Sequence, residues 1–562
     1  MSYLVSDAQE QLRGAILQAA QKAALAGELP AAPAGAFLME IPSDRANGDL
    51  SSNAALTWAR ELRLAPRKIA ETLQKHLVLE GSYALRCETA GPGFLNFYYN
   101  DRYFAEILRD ILVKGEAYGC SDFGQGKRIN VEFVSANPTG PMHMGNARGG
   151  ALGDCLAAVL EAAGYVVKRE FYVNDAGNQI EKFALSLDIR YRQHCGEEIE
   201  LPEDCYQGED ITDLAQQFAQ SNGIAALQLP EGERRKALVD FALPKNMETM
   251  RKNIEKYRIC YDTWFRESHL YQSGEVERVI TLLRESGNCY ESEGALWFRA
   301  TDFGLDKDFV LVRSNGLPTY IVPDIAYHYN KLVTRGFDRA IDVLGSDHHG
   351  YALRLKAILP ALGIDAGRLD IILMQLVRLT RKGETVRMSK RSGKAITLED
   401  LLEEIPIDAV RFLFNMREPA TQMEFDLDLA LEQSAQNPVY YCQYAHARIC
   451  SIFRKLAEEG ITPRVCTKEE LCKLSSPEER ELIHLLSSLT GEIIHAAQNY
   501  DPARVTRFCM ELSAQFHKFY AACRVRCEDE ALMQARLMLC ACVRDTLANL
   551  LGRFKISAPE QM

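Results

Sequence analysis

Between Ser135 and Asn146 the chain reads Ser-Ala-Asn-Pro-Thr-Gly-Pro-Met-His-Met-Gly-Asn, residue types that could bind and polarise a phosphate. Pro138, Gly140 and Pro141 force an irregular turn between an apolar strand, Arg128 to Val134, and a helix predicted from Asn146 to Ala163. A helix N-terminus offers unpaired N–H groups and the positive end of the helix dipole, which suits a phosphate. His143 can donate to a phosphate oxygen as charge builds on it, and Gly145 lets an adenine or ribose approach the backbone. A glycine-rich strand-to-helix turn can also be a plain connector, so this segment alone fixes no function.

Other groups could share that chemistry. From Arg378 to Lys394 there are seven basic residues and one acidic, in a stretch whose Gly383 and Ser392-Gly393 suggest a loop able to close over a polyanion. In Pro318-Thr-Tyr-Ile-Val-Pro-Asp324, Tyr320 and Asp324 are four apart and share a face if the segment is helical. Asp324 could instead cap a helix, since it follows Pro323 and precedes Ile325-Ala-Tyr-His. Asn174 and Asp175 follow a strand, where they either line a cleft or close an Asx turn. Further on, Tyr440, Tyr441 and Tyr444 with Gln443 and Arg448 mix stacking and donor groups, although tyrosines at helical spacing also serve as core.

The elements that must hold these groups fall into three units. Residues 1–115 combine helices with a strand-forming end, Gly91-Pro-Gly-Phe-Leu-Asn-Phe-Tyr-Tyr99. Residues 116–430 alternate strand and helix, with strands at 128–134, 166–173, 342–345 and 371–374, and an insertion expected at about 185–310. That alternation predicts an α/β fold: a Rossmann-type parallel sheet binding ligands at the carboxyl ends of its strands. Residues 431–562 are helical throughout, with breaks at Gly460, Pro463, Pro477 and Pro502. The fold class is therefore a Rossmann-type catalytic domain flanked by an α/β N-terminal and an all-α C-terminal domain.

Composition narrows the classes. A chain of 562 residues exceeds one hydrophobic core. The 16 cysteines are scattered and form no Cys-x-x-Cys pair, so no metal site is expected and the thiols read as small buried hydrophobes. There is no apolar run of 18 residues and no signal-peptide pattern, so a cytoplasmic protein without membrane contact is expected. A net charge of -12 argues against a chain coated in nucleic acid, while the 378–394 stretch and the C-terminal unit leave a local path for a polyanion.

The run Phe133-Val-Ser-Ala-Asn-Pro-Thr-Gly-Pro-Met-His-Met-Gly resembles the His-x-Gly-His signature of class I aminoacyl-tRNA synthetases, in the form of the arginyl branch. Asn146 stands where the pattern has its second histidine. Val386-Arg-Met-Ser-Lys-Arg-Ser-Gly393, about 240 residues beyond His143, resembles the family's Lys-Met-Ser-Lys-Ser loop, with Arg387 in place of the first lysine. The resemblance implies that His143 and Lys390 are catalytic. It implies that His143, Gly145, Asn146, Met388, Ser389 and Lys390 bind ATP, which arrives with Mg2+. It also implies an arginine pocket: Tyr320 and Asp324 for the guanidinium, Ser135 and Asn137 for the amino-acid end, and His348, supported by Asp347, closing over substrate. A carboxylate suits arginine's fork of donors, and leaving it unpaired by an uncharged analogue gives discrimination without editing.

At the two ends, Gly91-Pro-Gly-Phe-Leu-Asn-Phe resembles the family's N-terminal domain, which implies that Phe94 and Asn96 meet the outer corner of tRNA. Gln436 to Arg448 resembles its anticodon-binding domain, which implies tRNA contacts at Gln443, Tyr444 and Arg448. The implied activity is ligation of arginine to its tRNA through arginyl-adenylate, by a monomer, with tRNA bound for the first step. Two rivals remain at the level of sequence: a class I enzyme for another amino acid, which would have no use for Asp324, and a catalytically dead RNA-binding relative, which only Asn146 and Arg387 favour.

Overall fold

A computed structural model describes residues 3–33, 35–42, 44–386 and 396–562. The N-terminal unit is a four-stranded antiparallel sheet of Met39–Glu40, Leu50–Ser52, Phe94–Tyr99 and Ala84–Ala90, in that spatial order. Helices Leu4–Leu25, Ala54–Leu62 and Pro66–His76 cover it, the last opened by a proline at its first position, where the missing N–H costs nothing. Helix Asp101–Lys114 leads out of the unit and packs on the C-terminal helices.

The centre is a five-stranded parallel sheet. Its strands are β1 (Arg128–Phe133), β2 (Val166–Val173), β3 (Thr263–Arg266), β4 (Arg339–Gly345) and β5 (Leu369–Met374), ordered β5-β4-β1-β2-β3. The switch in strand order falls beside β1, where open α/β sheets bind ligands. Helix α1 (Met144–Ala162) lies on one face over Ile129, Val131 and Phe133. Its approach is close: a Cβ on Gly153 would stand 2.2 Å from the Phe133 ring. Helix α2 (Ile321–Tyr329) covers the other face and runs on into a single π-helical turn, Asn330–Thr334.

One expectation is corrected here. The alternation does not break off over the whole of 185–310, because β3 lies inside that range and pairs with β2 from Glu170↔Thr263 to Val173↔Arg266. The insertion therefore divides. Helices Asn178–His194, Glu209–Asn222 and Glu231–Lys256 form one part around their own core of Phe183, Tyr191, Leu214 and Phe218. Strands Cys289–Ser292, Ala295–Phe298 and Phe309–Val312 form the other, an antiparallel sheet. A four-residue edge strand carries too little period-2 pattern to be read against the helices around it.

Beyond the sheet, β6 (Val377–Arg381) runs parallel to β7 (Met423–Asp426). The C-terminal unit comprises α3 (Pro438–Glu458), Lys468–Leu471, Pro477–Asn499, α4 (Ala503–Ala522) and Glu530–Arg553. Buried Asp154 on α1 accepts from Arg411 Nη2 at 2.5 Å, Arg169 Nε at 3.0 Å and Lys555 Nζ at 3.0 Å, joining the signature helix to the far end of the chain. Among the described residues no helix is long and apolar enough to cross a membrane, and no cluster of His, Cys, Asp and Glu could hold a metal ion.

Candidate active site

The turn after β1 is strained. Val134 and Ser135 have φ of 70° and 39°, values that side chains rarely adopt and that a β-branched residue adopts least of all. Several bonds hold it there. Ser135 Oγ donates to Glu132 Oε1 at 2.9 Å and accepts from the Tyr172 N–H at 3.1 Å, and Tyr261 donates to the Phe133 carbonyl at 2.9 Å. The turn continues under the insertion, where Asn246 Nδ2 donates to the Pro138 carbonyl at 3.0 Å. Ser135 keeps one acceptor lone pair, and Asn137 is exposed.

His143 occupies the N-cap position of α1, whose first residue, Met144, lies two residues before the predicted start. Asn146 Oδ1 accepts the His143 backbone N–H at 2.9 Å. That bond takes the carboxamide oxygen, so the donor nitrogen is what Asn146 has to offer a ligand. Gly145 lies under the imidazole: a Cβ there would meet Cε1 at 3.3 Å and Nδ1 at 3.4 Å, so a larger residue would push the ring aside. Desolvation lowers the His143 pKa, which favours a neutral ring donating one N–H. His143 and Met144 form one side of a cleft of about 820 Å³. Gln375 to Leu379 and Gln422 to Glu424 form the other. Met388, Ser389 and Lys390, together with Arg387, lie outside the described residues.

On the other face of the sheet the charges are unbalanced. Asp324 is in the first turn of α2, four residues after Tyr320 at the cap position, so it is not the cap. It is half-buried, and no described cation forms an ion pair with its carboxylate. Burial, set against a lesser pull from His328 and reinforced by Glu267, Glu132 and Asp342, pushes its pKa up to about 7. Burial likewise raises Glu267 to about 7, partly offset by Tyr172 and reinforced by Asp175. Two carboxyls poised at neutrality beside buried aromatic rings form a pocket that a cation would discharge. Tyr320 stands at the mouth, 65% exposed, its hydroxyl accepting from Arg354 at 3.3 Å and its ring 6.1 Å from Tyr351. The half-exposed His348 ring stands edge-on to Tyr351 at 6.2 Å, with Nε2 3.7 Å from Asp347.

Beneath this pocket lies a row of three buried acids in register on adjacent strands: Asp342 on β4, Glu132 on β1 and Glu170 on β2. The π-turn supplies the answering cations. Lys331 Nζ donates to Glu132 at 2.5 Å and to Asp342 at 2.9 Å, and Arg335, directly after the turn, grips Glu170 at 2.5 and 2.7 Å. His328 contacts Asp342 through Nε2 at 2.7 Å and the Asp324 carbonyl through Nδ1 at 2.7 Å. Burial opposes its charge, but Asp342 outweighs this and the His328 pKa is raised.

Glu267 and Glu132 were not among the candidates read from sequence. Both stand at or near carboxyl ends of strands, the signal that could have found them. Asp175 proves structural, since its carboxylate accepts the Ser268 N–H and hydroxyl at 2.9 Å each. The Asn174 side-chain oxygen is buried without a partner.

Two of the residues expected to contact RNA lie inside the chain. Asn96 is 4% exposed and its oxygen accepts from Ser51 at 2.7 Å. Gln443 is 8% exposed and its nitrogen donates to Asp408 and to the Ser557 carbonyl, both at 2.9 Å. Both amides are thus engaged inside the chain. Phe94 is half-buried. Tyr444 is exposed, in a cluster shared by α3 and α4 where His517 lies 6.0 Å from it and Arg448 covers Tyr520 at 4.6 Å.

Three family models match the chain: the arginyl tRNA synthetase N terminal domain over residues 10–99, the class I (R) tRNA synthetase catalytic domain over 107–451, and the DALR anticodon binding domain over 442–562. The chain is 50% identical to an arginine--tRNA ligase of Caldanaerobacter subterraneus, over 100% of both chains. It is 49% identical to that of Acetivibrio thermocellus, again over 100% of both. Among solved structures, one described as an arginyl tRNA synthetase of Campylobacter jejuni matches with a TM-score of 0.73 and 31% identity, covering 82% of this chain and 100% of that one. The Thermus thermophilus arginyl-tRNA synthetase matches with a TM-score of 0.72 and 23% identity over 98% of this chain and 100% of that one, which shows the shared fold.

Proposed function

Because the chain belongs to the arginyl-tRNA synthetases and charges tRNA with arginine for translation, we propose a division of labour within its cleft. Asp324 and Glu267 receive the guanidinium, with Tyr320 at the mouth and His348 closing over it. Ser135 accepts from the α-ammonium through its remaining lone pair, and Asn137 borders the same end. ATP, brought as its Mg2+ complex, lies between the N-terminus of α1 and the Gln375–Leu379 wall. The observation that carries this reading is a pair of carboxyls with raised pKa values and no ion-pair partner among the described residues, near the carboxyl end of β1, with a helix N-terminus and its histidine at the same end. A cation and a polyanion can then meet over one strand end.

In the first step an arginine carboxylate oxygen attacks the α-phosphorus, and the bond to the bridging oxygen of pyrophosphate breaks. His143 donates its N–H to the phosphoryl oxygens, and the free N–H groups of the first turn of α1 add to that field. Lys390 neutralises the departing pyrophosphate, an assignment that rests on the sequence resemblance. In the second step the terminal ribose hydroxyl of tRNA attacks the arginyl carbonyl, and AMP leaves. The units expected at 1–115, 116–430 and 431–562 then hold the tRNA corner, the reaction and the anticodon respectively. This reading takes the enzyme to act as a monomer in the cytoplasm.

The decisive test is charging of total tRNA with each amino acid in turn, in wild type and in Lys390→Ala. Arginine alone should be accepted. The variant should form arginyl-adenylate at least a hundredfold more slowly, with arginine affinity nearly unchanged. Wild-type adenylate formation in Lys390→Ala would remove that residue from the mechanism.

A further inference from the structure

A buried guanidinium stands behind the cleft with no carboxylate paired to it among the described residues. Arg148 lies on α1, one turn beyond the signature turn, and is 1% exposed. Its Nη1 donates to the Gln375 carbonyl at 2.6 Å, and its Nη2 to the Glu418 and Thr421 carbonyls at 3.2 and 3.0 Å. Among the described residues no carboxylate forms an ion pair with it, and Nε has no partner. Desolvation alone pushes its pKa down to about 10. Buried arginines are ordinarily paired, because removing a cation from water is costly. Carbonyl dipoles offset only part of that cost, so the arrangement calls for a reason beyond packing.

The acceptors supply one. Gln375 follows β5 and opens the stretch that lines the cleft up to Leu379. Glu418 and Thr421 form the turn that leads into Gln422, Met423 and Glu424, which line the same cleft. The two segments also join directly, the Gln375 N–H donating to the Pro419 carbonyl at 3.0 Å. Only a planar fork can reach two such segments at once from one helix. We propose that Arg148 is a positioning residue of the nucleotide pocket: it ties the helix that carries His143 to both halves of the opposite wall, setting the width of the cleft and leaving an uncompensated positive charge behind that wall, toward the triphosphate. This rests on the reading of the cleft as the ATP site.

The test compares steady-state KM values for ATP and for arginine in full-length Arg148→Met, Arg148→Lys and Val377→Trp, with tRNA present and thermal unfolding recorded for each. Val377 lines the cleft, so Val377→Trp asks only whether the cleft holds ATP. Arg148→Met is expected to raise KM for ATP tenfold or more while KM for arginine stays within twofold. Arg148→Lys keeps a buried cation but reaches one segment only. It should fold and raise KM for ATP at least threefold, and it decides the matter if the methionine variant does not fold. An unchanged KM for ATP in the Arg148 variants, with Val377→Trp raising it, would overturn the role of Arg148 and leave the ATP site standing. No effect of Val377→Trp would overturn the site itself. Equal rises in both KM values would reduce Arg148 to general packing and overturn the proposal as well.

Discussion

If Asp324 and Glu267 form the arginine pocket as proposed, their raised pKa values set the sign of the pH dependence of arginine binding. Asp324 and Glu267 are raised to about 7 when no cation faces them, whereas the guanidinium keeps its charge throughout this range. Below pH 7 the protons must leave before arginine can bind. KM for arginine is therefore expected to rise as pH falls from 8 to 6, by up to about tenfold per unit for each proton displaced. Calorimetry in buffers of different ionisation enthalpy will count those protons. Stability without ligand runs the other way. The folded state binds more protons than the unfolded chain between about pH 4 and 7, so stability declines as pH rises through that window. Asp324→Asn should cost about 2–3 kcal/mol of arginine binding, a roughly 30- to 150-fold rise in KM, and flatten the pH profile. Unaltered arginine kinetics in that variant would exclude Asp324 from the pocket. Asp324 was legible in the sequence as the carboxylate of a Tyr-x-x-x-Asp spacing. Glu267 was not, because a glutamate ahead of a polar helix looks like an ordinary first-turn acid.

At the scale of elements, the β-α-β order around the signature turn was legible, since β1, β2 and α1 are long and their patterns strong. The π-turn was not. Nothing in the types or spacing of Lys331 and Arg335 marks them for burial, yet Lys331 is fully buried. What turns them inward is the row of Asp342, Glu132 and Glu170, whose alignment depends on sheet register and so cannot be seen along the chain. Each pairing is costly to break and cheap to replace. Arg335→Met leaves Glu170 buried without its cation and should cost about 3–5 kcal/mol, lowering Tm by on the order of 5 °C or more. Adding Glu170→Gln should recover a large part of that loss. Two losses that simply add in thermal unfolding would show that the pair is not coupled.

Across the whole molecule, two of the side chains proposed for RNA, Asn96 and Gln443, are buried, whereas Phe94 and Tyr444 are not. Helical periodicity places aromatic residues on a face but does not say which face is turned outward, so Gln443 and Tyr444 looked equivalent. Packing of the C-terminal residues against α3 separates them. Gln443 holds Ser557, while Tyr444 and Arg448 stand among the α4 rings. Stacking of one base is worth about 1–3 kcal/mol, so Tyr444→Ala should raise KM for tRNA roughly tenfold. KM values for ATP and arginine should not move. A Gln443→Ala variant should instead lower Tm with little selective effect on tRNA. Should Gln443→Ala weaken tRNA alone, its place in this scheme is wrong.

The order of the central sheet also bears on how the chain is made. β1 is the middle strand, and its partner on one side, β4, lies about 200 residues further along, with Ile129 opposite Arg339. At synthesis rates of about 5–20 residues per second, β1 leaves the ribosome roughly 10–40 seconds before β4. Through that interval one edge of β1 is open, and Glu132 has neither Lys331 nor Asp342 beside it. An open parallel edge can recruit a strand from a neighbouring chain. The nascent enzyme is thus most exposed to misassembly while its own insertion is still being translated, and crowded polysomes or a stalled ribosome in the 175–340 interval should cost far more active enzyme than the same delay imposed after β4 has emerged.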